Sequence, residues 1–60
     1  MEPKIYITHT VDNKYQIICN GMPITGKLTE DEAVRIFKAQ TYEPLYIWES
    51  KESRFHIFQK

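Results

Sequence analysis

The spacing of hydrophobic positions changes once along this chain, and the change marks its architecture. Over residues 4–10 (KIYITHT) β-branched and aromatic side chains alternate in part with others, which predicts a strand. Ile5, Ile7 and His9 share one side of it; Tyr6, Thr8 and Thr10 share the other. Val11-Asp12-Asn13 reads as a three-residue turn, whose last residue must be left-handed, a conformation Asn tolerates well. That loop length sets Ile7 opposite Ile17 and Ile5 opposite Cys19 in a second strand, Tyr15–Cys19. A two-residue loop sets Ile7 against Ile18 and mixes the faces, so the first register is preferred.

Asn20-Gly21 is a strong hairpin signal, because a type I′ turn needs positive φ at both central residues. Pairing across it sets Cys19 against Met22 and Ile17 against Ile24, so two independent turns agree on which side is core. The third strand, residues 22–25, is short. Pro23 cannot donate to a ladder, which places this strand at a sheet edge.

Over residues 28–40 (LTEDEAVRIFKAQ) the period becomes that of a helix. Thr29 followed by Glu32 fits the S/T-x-x-E capping box, with Leu28 in the staple position before it. Ala33, Ile36, Phe37 and Gln40 fall on one stripe, with Val34 beside it. Glu30, Asp31 and Glu32 crowd the first turn, where carboxylates offset the positive helix end; a cation site is the less economical reading. Glu43-Pro44 ends the helix, since a residue before proline is pushed out of helical dihedrals.

Residues 45–49 (LYIWE) and 54–59 (RFHIFQ) return to strand character. A two- or four-residue loop between them pairs Glu49 with Arg54 and puts Tyr46, Trp48, Phe55 and Ile57 on one face. A three-residue loop groups Leu45, Ile47, Phe55 and Ile57 instead, leaving Tyr46, Trp48, His56 and Phe58 opposite. Burial normally outweighs one exposed ion pair, so the three-residue loop is preferred. The predicted fold is α+β, in the order β-β-β-α-β-β: a small antiparallel sheet of four main strands and a short edge strand, with one amphipathic helix on one face. Residues 1–60 form a single domain.

A domain of 60 residues buries only about 60% of the surface its unfolded chain exposes, so its core is marginal. Such domains gain support from disulfides, metals or self-association. Cys19 is the only cysteine, which excludes an internal disulfide, and His9, His56 and Cys19 lack metal-ligand spacing. Good packing or self-association is left. Eight basic and eight acidic side chains cancel, which gives no electrostatic pull toward nucleic acid or an anionic membrane. No apolar run approaches the roughly 20 residues of a membrane span, the first residues do not read as a signal peptide, and an unpaired cysteine suits the reducing cytoplasm.

Catalytic chemistry finds little footing. Gly21 and Gly26 both have turn roles, so no phosphate-cradling loop exists. Cys19 lies in an aliphatic strand facing the core, and His9 and His56 have no sequence partner to tune them. The expectation is a non-enzymatic protein with no cofactor.

Geometry is more informative. A helix of this length runs about 16 Å and is about 10–12 Å across, while a four- or five-stranded sheet is about 19–24 Å wide. The helix covers at most one face, and nothing covers the other. In the preferred registers that open face carries Tyr6, Ile18, Pro23, Tyr46, Trp48 and Phe58, with Thr8, Gln16, Arg54 and His56 among them. Exposed apolar surface on a small protein marks an interaction site, and Trp, Tyr and Arg often dominate binding energy. The expected role is a protein-interaction module, a small regulator or inhibitor of the bacterial or phage accessory kind. It binds a protein partner or a second copy of itself through Tyr6, Ile18, Tyr46, Trp48, Arg54, His56 and Phe58, or through a sheet edge. The alternative is single-stranded nucleic-acid binding, with Tyr6, Tyr46, Trp48 and Phe58 stacking on bases and Lys51, Arg54 and Lys60 on phosphates.

Overall fold

Two tight turns and one capped helix arrange the chain as a five-stranded sheet in the order β3-β2-β1-β4-β5. The computed structural model describes residues 3–58. The elements are β1 (Ile5–His9), β2 (Tyr15–Cys19), β3 (Met22–Pro23), α1 (Glu30–Gln40), β4 (Tyr46–Glu49) and β5 (Arg54–Ile57).

The first hairpin has the expected register, Ile7 opposite Ile17 and Ile5 opposite Cys19. Asn13 supplies the left-handed residue at φ 63°, and the Asn13 amide donates to the Thr10 carbonyl at 3.0 Å. Asn20 and Gly21 follow at φ 53° and 83°, the pair of positive values a type I′ turn requires, and Cys19 meets Met22. β3 is an edge strand, as Pro23 demands. Beyond it the chain stays against β2: Ile24 N–H donates to the Ile17 carbonyl, and Tyr15 and Leu28 exchange backbone bonds in both directions.

Thr29 caps α1 with both halves of the capping box in place: its hydroxyl accepts from the Glu32 amide, and the Glu32 carboxylate accepts from the Thr29 amide. Ala33 and Phe37 are fully buried, and Val34 and Ile36 pack at the margin. Gln40, placed on the apolar stripe by its spacing, is exposed. The helix lies over β1 and β2, and its side chains close a core of Ile7, Ile17, Ala33, Phe37, Leu45 and Ile47.

Two expectations are corrected. The sheet is mixed rather than antiparallel, because β4 runs parallel to β1, with Ile7 beside Ile47 and His9 beside Glu49. β3 has the direction of β1, so a helix that carries the chain back starts β4 in that same direction, as a helical crossover does. Its place beside β1 makes β1 central, which is why Ile7 is wholly enclosed.

The last hairpin also differs. Its loop has four residues, 50–53, and sets Tyr46 against Ile57, Ile47 against His56, Trp48 against Phe55 and Glu49 against Arg54. Ser53, at φ 52°, closes the turn while its amide and that of Glu52 both reach the Glu49 carbonyl. The burial argument for a three-residue loop assumed a core reaching β5. The helix contacts β1 and β2, so only the margin of the core reaches β5, where Phe58 packs, and Phe55 and Ile57 face away from it.

Candidate functional site

Strand alternation and the observed registers place Tyr6, Thr8, Gln16, Ile18, Pro23, Tyr46, Trp48, Phe55 and Ile57 on the face away from α1. None of these strand positions is charged. At the centre of the group, Phe55 sits edge-on to Tyr6, with ring centroids 5.0 Å apart at 87°, and against Trp48 at 4.8 Å and 60°. Such contacts contribute about 0.5–1.5 kcal/mol each beyond the area they bury, so the aromatics form a set patch rather than independent side chains. All three remain partly exposed, and Ile57 is half exposed.

Tyr6, Ile18, Tyr46 and Trp48 therefore share one face, as expected from their spacing. Arg54, His56 and Phe58 do not join them. The four-residue loop turns these three to the helix side, where His56 opposes the core residue Ile47 and Phe58 packs at the core margin. Arg54 pairs with Glu52 at 2.6 Å, and that guanidinium holds the Glu52 carboxyl below its usual range. Phe55 and Ile57 take the vacated places, so the face is more apolar than expected. Lys60 and Gln59 lie outside the described residues.

On the helix side, the part of the sheet beyond α1 forms a cleft of about 390 Å³, lined by His9, Tyr15, Glu30, Glu49, His56 and Phe58 among others. His9 is held at both ring nitrogens and on one ring face. Its Nδ1 lies 2.5 and 2.9 Å from the two Glu49 oxygens, its Nε2 lies 2.8 Å from Asn13 Oδ1, and its ring stacks on Tyr15 with centroids 4.3 Å apart. The doubly protonated ring donates to both acceptors, so the Asn13 bond and then the Glu49 bond and charge raise the His9 pKa against the opposing effect of burial. Burial, reinforced by the Glu30 and Glu49 charges, raises the Tyr15 phenol. In the adjoining turn Lys27, then Thr10, hold Asp12 down to about 2.

Neither the spacing of His9 nor that of Glu49 signals this pair, because it depends on the parallel contact of β1 with β4. Its chemistry is confined. No serine, threonine or cysteine lines the cleft among the described residues, and the second His9 nitrogen is engaged by Asn13. Cys19 pairs with Ile5 at the far end of β1, about 13 Å from His9 at strand spacing. Among the described residues no group of three or more His, Cys, Asp or Glu side chains is arranged to hold a metal ion, and no helix is long and apolar enough to cross a membrane.

Compared with protein-family models, with curated proteins and with solved structures, the chain matches none.

Proposed function

We propose that this chain is a non-enzymatic protein-interaction module, a small regulator or inhibitor that occupies a partner's surface with its helix-free face. The observation that carries the reading is the contiguous cluster of Tyr6, Phe55 and Trp48 on a face without charged strand positions. Aromatic enrichment with depletion of charge is the composition of the centre of a protein interface. The unpaired Cys19 suits a reducing cytoplasm as its setting.

The same face is poorly equipped for nucleic acid. Base stacking needs phosphate contacts beside it, and the Arg54 guanidinium lies on the other side of the sheet in a pair with Glu52. A short single-stranded oligonucleotide should leave Trp48 fluorescence unchanged at low salt.

The test is capture from a cell extract by wild-type protein and by two variants, followed by amide exchange on the isolated complex. Tyr46→Lys should abolish capture, Arg54→Ala should preserve it, and slowed exchange should map to the central strands that carry the aromatic face. A partner retained by Tyr46→Lys at wild-type strength would refute this role for the face.

A further inference from the structure

The two edges of the sheet are treated differently. β3 has two residues, one of them Pro23, and so offers almost nothing to an incoming strand. β5 has four residues and no proline, and it ends the strand order. Its backbone direction can be read from the hydrogen bonds. Phe58 N–H donates to the Leu45 carbonyl at 2.9 Å, and His56 opposes Ile47, so the even-numbered amides turn toward β4. By alternation, the amides and carbonyls of Phe55 and Ile57 point outward, where no described residue bonds to them.

We propose that β5 pairs antiparallel with β5 of a second copy of this chain, making one sheet that runs through both. The register is selected by symmetry together with full use of the outward backbone groups of Phe55 and Ile57. An isologous contact needs a strand complementary to itself, and residues opposed in an antiparallel pair must lie on the same face. A twofold axis through His56 meets both conditions: Phe55 opposes Ile57 of the second copy, and Ile57 opposes its Phe55. These are the residues whose backbone groups point outward, so each Phe55–Ile57 pair exchanges both bonds of a closely spaced antiparallel pair. Ile57, 52% exposed in the single chain, gains an apolar cross-strand neighbour. On the other side of the sheet, Arg54 comes opposite Phe58 of the second copy and His56, on the axis, comes opposite the second copy's His56, while over residues 54–58 no carboxylate or ammonium meets its like.

This pairing is independent of the role assigned to the helix-free face. It leaves that face open and joins two copies of the aromatic patch. It also supplies the support that a chain with one cysteine lacks from disulfides.

Light scattering over a concentration series, with residue-resolved amide exchange on the same samples, tests the pairing. The expected mass is twice the 7.2 kDa of one chain, falling to one chain on dilution. The Phe55 and Ile57 amides should exchange slowly in the concentrated sample and quickly in the dilute one, while the His56 and Phe58 amides stay protected in both. Ile57→Pro removes only an outward amide and should be monomeric with an unchanged circular dichroism spectrum. Ile57→Lys, which keeps the backbone, should be monomeric too. Met22→Lys, at the opposite edge, should still associate. A monomer at every soluble concentration overturns the proposal. So does a dimer whose Phe55 and Ile57 amides exchange freely, since that dimer is held elsewhere.

Discussion

His9 and Glu49 are 40 residues apart in the chain, yet the Glu49 carboxylate lies 2.5 Å from His9 Nδ1. The contact exists because β1 and β4 run side by side in parallel and bring these two positions into register. It lies in the cleft that Glu30 at the start of α1 also lines, and it makes stability depend on pH. His9 has a folded pKa above its unfolded value of 6.5. Its stabilisation is therefore complete below the unfolded value and is lost as pH rises through the folded one. The thermal midpoint should fall as pH is raised from about 6 to about 8, and His9→Gln should flatten that fall. Followed by NMR, the His9 ring should titrate above 6.5, and Asn13→Gly, which keeps the turn but removes the oxygen facing Nε2, should lower the midpoint. A wild-type ring that titrates at or below 6.5 would contradict the geometry.

The capping box should be measurable on its own. Thr29→Ala removes the acceptor for the Glu32 amide and should cost about 1 kcal/mol in urea unfolding. Thr29→Ser should recover most of it. An alanine variant as stable as wild type would mean that packing, not the cap, starts the helix.

Phe37 is the largest side chain fully enclosed by α1 and the sheet. Phe37→Ala should cost about 3–5 kcal/mol, against a total of roughly 3–9 kcal/mol for a chain of this size. Loss of cooperative thermal unfolding is the expected result. Phe37→Leu should retain a sharp transition at lower temperature. If the alanine variant unfolds as cooperatively as wild type, Phe37 is not the centre of the core.

Ser53 holds a left-handed conformation without the freedom of glycine. Ser53→Gly relieves a cost of roughly 1–2 kcal/mol and returns part of it as chain entropy, so a net gain of up to about 1 kcal/mol is expected. Denaturant midpoints would show it, and a decrease would mean that the four-residue loop is held by its side chain.

Local chemistry made much of the fold readable from the residues. Asn13 and Asn20-Gly21 determine turn geometry within a few positions, and each turn dictates the register of the strands it joins. Thr29 and Glu32 likewise fix the start of the helix. The last hairpin resisted because its register depended on where the core ended, a property of the whole sheet. That α1 lies over β1 and β2 alone is settled by packing across the whole chain, and with it Phe55 and Ile57 face the open side while Arg54, His56 and Phe58 face away from it.

The elements, both early turns and the presence of an aromatic face follow from the order of residues alone, because each rests on contacts between near neighbours. The tertiary structure decided strand order, the parallel contact that joins His9 to Glu49, and which edge is left open. Those depend on pairings between residues distant in the chain, where every strand could in principle meet several others and only the packing of the whole selects one.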